Sequence, residues 1–176
     1  MNLVPLAKTI DLITSLADVL LRRRWLLATA ESCTGGLISA VCTSVAGSSD
    51  WFERGFVTYS NAAKTDQLGV PAELIAAYGA VSEPVARAMA DGAIAYSRAQ
   101  ISVAVTGIAG PGGGSADKPV GTVCFGWNVG GQLDVETRRF DGDRTAVRAQ
   151  TVEYALHRLL ELLPSDGIVD VIGTNP

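Results

Sequence analysis

Short apolar runs that stop at glycine-bearing turns, each followed by a stretch of helical period, constrain this chain more than any other feature. Trp25-Leu26-Leu27-Ala28-Thr29-Ala30 is short and apolar, as a buried strand is, and Glu31-Ser32-Cys33-Thr34-Gly35-Gly36 breaks it ahead of a helix expected from about Leu37 to Val45. Trp51 to Tyr59 reads as a second strand after the turn Ala46-Gly47-Ser48-Ser49, with helices over Ala62 to Leu68 and Ala72 to Tyr78 divided by Pro71. Ser82 suits the N-cap of a longer helix with Pro84 in its first turn. Val85, Met89 and Ile94 supply its apolar face through about Arg98, and its many alanines imply close packing on a sheet. Ile101 to Val105 is a β-branched strand.

The ends of the chain read differently. From Leu3 to Arg23, the residues Leu6, Ile10, Ile13, Leu16, Leu20 and Leu21 recur at helical spacing, and the basic run Arg22 to Arg24 suits a helix C-terminus. Val120 to Val129 and Leu133 to Phe140 form a hairpin around Gly130-Gly131. Asp143 then opens a helix from about Arg144 to Leu163 with Val147, Ala155, Leu156, Leu159 and Leu160 facing inward. Strand–helix alternation followed by a hairpin predicts an α/β protein: one three-layer α/β/α domain over residues 1–163 with a mixed, mostly parallel sheet, and a tail over 164–176.

Composition narrows the function. With 176 residues, 48% of them hydrophobic, the chain can bury a substantial core, and its net charge of −4 disfavours general binding to nucleic acid. Cys33, Cys42 and Cys124 are an odd number without a Cys-x-x-Cys pair, and His157 is the only histidine, so a disulfide framework and a standard zinc site are both disfavoured. Neither a signal-like start nor eighteen uninterrupted apolar residues is present, which makes a cytoplasmic enzyme without a membrane partner the expectation.

Two glycine-rich segments are candidate sites. Ser32 and Thr34 lie in a strand-to-helix turn where N–H groups of Thr34, Gly35 and Gly36 can face an oxyanion, although both hydroxyls could equally cap the helix. No Gly-x-Ser-x-Gly elbow or local Ser-x-x-Lys is present, so a nucleophilic Ser32 needs a distant base. Lys64, following the strand that ends Thr58-Tyr59-Ser60-Asn61, can serve if burial lowers its pKa; the alternatives are a solvated helix lysine and, for Tyr59, a half-buried strand aromatic. The loop Thr106 to Ser115, containing Gly107, Gly110 and Gly112, lacks the ending of a triphosphate P-loop. It could still wrap one phosphate with charge from Lys118, Arg144 and Arg148, or it could be a mobile surface loop.

Several blocks, in order, resemble the CinA C-terminal domain family: Thr29 to Gly36, Ala46 to Ser49 with Trp51-Phe52, Gly55 to Asn61, Gly79 to Ser82, Thr106 to Gly113, Lys118 to Val123 and Phe140 to Arg144. The resemblance covers about Leu12 to Leu160 and leaves no room for the additional N-terminal domain of longer relatives. It implies a cofactor-free, metal-free homodimeric amidohydrolase that deamidates nicotinamide mononucleotide in pyridine-nucleotide recycling. By that resemblance Ser32 is the nucleophile, Lys64 the base, Tyr59 and Thr106 supporting polar groups, and Arg144 or Arg148 substrate-binding groups. A non-catalytic nucleotide-binding domain and a competence-related partner protein are the competing readings.

Overall fold

The computed structural model describes residues 6–164. Its sheet has the order β2-β1-β3-β4-β5. The central strand β1 (Leu27–Glu31) pairs in parallel with β2 (Phe52–Val57) on one side and β3 (Ile101–Gly107) on the other. β4 (Thr122–Val129) is antiparallel to both β3 and the edge strand β5 (Gln132–Arg139), so it alone runs against the other four. The expected mixed sheet is present.

Side chains alternate across a strand, and each face of this sheet has its own core. Leu27, Ile101, Val103 and Val105 belong to the apolar cluster that includes α1 (Leu6–Arg23), α2 (Leu37–Cys42) and α6 (Arg144–Leu162). Ala28, Ala30 and Ala104 belong to the cluster built with α3 (Asn61–Leu68), α4 (Ala72–Tyr78) and α5 (Glu83–Ala95). The second face is lined by small residues because α5 lies almost against the strands. A Cβ on Gly126 of β4 would fall 2.4 Å from the carbonyl oxygen of Ala86, and Ser102 Oγ donates to Ala90 O at 2.8 Å. The close packing expected of the alanine-rich helix is present.

Some boundaries differ from expectation for local reasons. β1 begins at Leu27, not Trp25, because Arg24 takes a left-handed conformation and the Trp25 N–H returns to Leu20 O at 2.9 Å, a helix-closing turn. α2 ends at Cys42 and α5 at Ala95, each shorter than expected. Ser82 is the N-cap residue of α5, but its hydroxyl donates to Gly79 O at 2.8 Å and does not accept from the helix. Asp143 does cap α6, accepting from the Ala146 N–H at 2.8 Å.

On α1, Leu12, Ile13, Leu16, Ala17 and Leu20 are buried, whereas Ile10 and Leu21 are 42% and 44% exposed. At about 100° per residue these two fall just past the edge of the buried stripe. On α6 the five expected inward residues all contact the core, Leu160 partly. The helix start expected at Leu3, the side chain of Leu6 and the tail beyond Pro164 lie outside the described residues.

Candidate active site

β2 and β3 flank β1 on opposite sides, so the chain reverses its direction of travel across the sheet beside β1, and open α/β sheets form crevices at the carboxyl ends of strands at such a point. Three strand ends converge there. The Ser32 N–H donates to Val105 O at 3.0 Å and the Thr58 N–H to Glu31 O at 2.8 Å, which carries the pairing one residue past the end of β1 and fixes where Ser32 sits. β2 ends at Val57, two residues before expectation, so Thr58 and Tyr59 lie in the connection to α3. Ser60 caps that helix, accepting from Ala63 N–H at 3.0 Å.

This cap places Lys64 in the first turns of α3, aimed back at the strand ends. Lys64 is 1% exposed, and its Nζ donates to Ser32 Oγ at 3.0 Å and to Thr58 O at 2.9 Å. The solvated-lysine reading is therefore excluded. Among the described residues no carboxylate pairs with the amine, and burial pushes its pKa below the usual lysine value, with Cys33 a smaller opposing influence. A buried amine with a lowered pKa, in hydrogen-bond reach of a serine hydroxyl, has the geometry of a base facing a nucleophile. The neighbouring thiol is no rival: burial pushes Cys33 up to about 12, and all three cysteines are free.

Glu31 was not anticipated. Its carboxylate is fully buried and accepts from the N–H groups of Gly36 (3.0 Å), Ile38 (3.0 Å) and Ser39 (2.8 Å) and from Ser39 Oγ (2.7 Å). This overturns the capping reading of the turn hydroxyls. Ser32 Oγ is engaged with Lys64, Thr34 Oγ1 has no partner, and the start of α2 is satisfied by Glu31. The Gly35 N–H donates to Ser32 O at 3.1 Å and the Gly36 N–H to Glu31, so the oxyanion role expected of these two glycines is already taken up inside the protein. Both have positive φ, which only glycine adopts without strain. The available signal was a lone carboxylate closing an otherwise apolar strand.

Of the remaining candidates, Tyr59, Arg144 and Gly110 form a rim. Tyr59 is 62% exposed and its hydroxyl accepts from Arg144 Nη2 at 3.0 Å, not from Lys64, so the half-buried reading fails and no bond joins it to the dyad. Arg144 Nη1 donates to Gly110 O at 3.2 Å, drawing the glycine loop to α6 beside a cleft of about 480 Å³ lined by Ala109, Gly110, Pro111, Val120 and Arg144. Arg148 does not share that cleft; its Nη2 donates to Thr34 O at 2.7 Å. Lys118 is spent on Tyr78 O (2.9 Å) and Val81 O (2.7 Å), and buried Thr106 donates to Ala80 O at 2.8 Å, so both bind fold elements together. Gly107 allows close strand packing, since a Cβ there would lie 2.8 Å from Val123, while a Cβ at Gly112 would meet nothing within 4 Å.

Near the Ser32 turn, three buried polar atoms have no hydrogen-bond partner among the described residues: Thr34 Oγ1, Thr58 Oγ1 and Arg148 Nε. Native interiors leave few such atoms, and these three stand open to a polar group or water beside Ser32.

Residues 9–163 match the model of the CinA C-terminal domain. The chain belongs to that family. It is 56% identical over 151 residues to the nicotinamide-nucleotide amidohydrolase PncC of Pseudomonas putida, covering 86% of this chain and 94% of the relative. It is 54% identical over 134 residues to the Escherichia coli K12 protein of the same name, covering 76% and 81%. A CinA-like protein of Syntrophobacter fumaroxidans is 53% identical over 144 residues, but the match spans 34% of that longer relative. A crystal structure of the competence/damage inducible protein CihA from Agrobacterium tumefaciens superposes with a TM-score of 0.87 at 46% identity, covering 92% of this chain and 98% of that one. Among the described residues of this CinA-family chain, no helix is long and apolar enough to cross a membrane.

Proposed function

We propose that the chain is an amidohydrolase that converts nicotinamide mononucleotide and water to nicotinate mononucleotide and ammonia, in pyridine-nucleotide recycling, through a serine–lysine dyad. One observation carries the mechanism: a buried Lys64 amine 3.0 Å from Ser32 Oγ with no acidic partner among the described residues. Similarity to proteins named nicotinamide-nucleotide amidohydrolase supports the substrate.

Neutral Lys64 takes the hydroxyl proton as Ser32 Oγ attacks the carboxamide carbon. The oxyanion faces the N–H groups at the front of the turn, those of Cys33 and Thr34, since those of Gly35 and Gly36 are committed. The Lys64 ammonium returns its proton to the departing nitrogen, ammonia leaves, and a serine ester remains. Lys64 then takes a proton from water as that water attacks the ester, and gives it back to Ser32 Oγ when the carboxylate is released. Arg144, exposed at the cleft beside Gly110, meets the 5′-phosphate.

The test is ammonia release from nicotinamide mononucleotide by the pure protein, with Ser32→Ala as control. Stoichiometric ammonia and nicotinate mononucleotide from the wild type alone are expected. Nucleotide binding without turnover would overturn the assignment.

A further inference from the structure

The Ser32–Lys64 dyad needs its serine on a turn that does not move, and a turn rich in glycine does not hold itself. Residues 32–36 include two adjacent glycines with positive φ. Along this turn, hydrogen bonds reach the rest of the protein at Ser32 N, at Ser32 Oγ from Lys64, at Thr34 O through Arg148, and at Gly36 N through Glu31. The last of these belongs to a larger arrangement. Both carboxylate oxygens of Glu31 are filled, by three backbone N–H groups, the Ser39 hydroxyl and, at 3.4 Å, the Thr29 hydroxyl, and the side chain is entirely buried. Helix starts attract anions from solution; here the anion is covalently part of the strand that carries the nucleophile.

We propose that Glu31 is a positioning residue for catalysis: as an internal anion it locks the start of α2 to the end of β1, and so fixes the Ser32 turn against Lys64. This rests on the serine–lysine reading. The lock depends on a group that only accepts. Glutamine has nearly the same shape but one acceptor oxygen, so its amide NH2 must face N–H donors on one side. Aspartate keeps the charge but is one methylene shorter and cannot span both sets of donors from the same backbone position. Gly55 of β2 completes the arrangement, because a Cβ there would fall 2.2 Å from Ser39 Oγ, the hydroxyl that faces Glu31.

The decisive measurement is kcat per active site, with sites titrated by a serine-directed fluorophosphonate, for wild type, Glu31→Gln and Ser39→Ala. A small displacement of a reacting atom costs up to about a hundredfold, so Glu31→Gln is expected to lower kcat roughly ten- to a hundredfold with KM for nicotinamide mononucleotide within about twofold. Its rate of phosphonate labelling should fall in parallel. Ser39→Ala removes one of the donors, and a smaller loss in kcat, again without a change in KM, is expected. A residue that served only folding would reduce the fraction of titratable sites and leave kcat per site unchanged, and that result would overturn the proposal. If Glu31→Gln does not fold, Ser39→Ala decides alone: unchanged kcat per site rejects the lock. The labelling assay needs no amide substrate. Wild type that labels at Ser32 but releases no ammonia defeats the amidase reading only, whereas equal labelling rates in wild type and Glu31→Gln defeat this one.

Discussion

Arg144 and Arg148 stand one turn apart on α6 and project in the same general direction, yet they enter different parts of the site. Arg148 reaches the Ser32 turn, donates to Thr34 O and keeps a buried Nε without a partner. Arg144 stays exposed at the rim and joins Tyr59 to Gly110. The inner region is buried and held by backbone and carboxylate bonds; the outer one is solvated and held by single side-chain bonds. Bond formation needs reacting atoms fixed in a dry setting, whereas recognition of a charged group that arrives and departs tolerates water. Substitutions inside should therefore lower kcat for every amide substrate, and substitutions at the rim should act through KM on substrates that carry a phosphate.

The largest effect is expected from Ser32→Ala. Removing one member of a catalytic unit of this kind costs on the order of 10⁴-fold or more in kcat. Nicotinamide mononucleotide and nicotinamide riboside should lose turnover together, with nucleotide affinity by calorimetry preserved. A variant with turnover within tenfold of wild type would dissolve the inner region as a chemical site.

Lys64→Met should follow, with kcat falling roughly 10²–10⁴-fold and little change in KM. Lys64→Arg should not restore activity, because guanidinium stays protonated. Wild-type kcat should rise with pH through the lowered pKa of Lys64, since the neutral amine is the working form. Stability gives an independent check. The unfolded chain holds the Lys64 proton up to its ordinary value of 10.5, whereas the folded chain releases it at lower pH. Between those two values the unfolded state binds more protons, so folding stability rises with pH. The melting temperature of wild type relative to Lys64→Met should thus improve as pH climbs toward 10.5, and a flat difference would place the amine in solvent.

The same division decides what could be read before the structure. Alternation of apolar runs and helical periods predicted the three layers, because burial on two faces leaves its mark residue by residue along β1 and β3. Ser32 and Lys64 were legible as candidates from their strand ends, but that they meet depends on β1 and β2 pairing in register, which brings Thr58 beside Glu31. Glu31 was overlooked because an acidic residue at a strand end is ordinarily solvated; its partners appear only once α2 turns back over it. Lys118 is offered to the ligand as charge beside the glycine loop and Thr106 as a supporting polar group by resemblance, yet both hydrogen-bond to carbonyls distant in sequence. The sequence leaves Arg144 and Arg148 as alternatives for the substrate, and geometry separates them: one helical turn displaces Arg148 by about 6 Å along α6, enough to move it from the cleft to the Ser32 turn.

The arginines test the division directly. A hydrogen bond to a charged group is worth roughly 1.5–3 kcal/mol, so Arg144→Ala should reduce kcat/KM for the mononucleotide about ten- to a hundredfold and leave the riboside unchanged. Arg148→Ala frees the Thr34 carbonyl and should lower kcat for both substrates alike, by about tenfold. Equal behaviour of the two variants toward the two substrates would merge the regions into one.

Tyr59→Phe should have the smallest effect, and its direction is the informative part. The hydroxyl is the group through which Arg144 is held toward β2, at 3.0 Å, and it makes no bond to Ser32 or Lys64. Losing it removes one hydrogen bond to a guanidinium that solvent can replace at an exposed position, so the cost is about 1 kcal/mol, or several-fold. That loss should appear in KM for the mononucleotide, vanish for the riboside, and vanish again in an Arg144→Ala background, since the hydroxyl then has no guanidinium to hold. A proton relay would behave in the opposite way: kcat would fall for both substrates, the pH profile would shift, and the loss would persist without Arg144. Measuring kcat and KM for the two substrates across wild type, Tyr59→Phe, Arg144→Ala and the double variant separates these outcomes. Persistence of a kcat defect in the double variant would move Tyr59 from the rim into the chemistry.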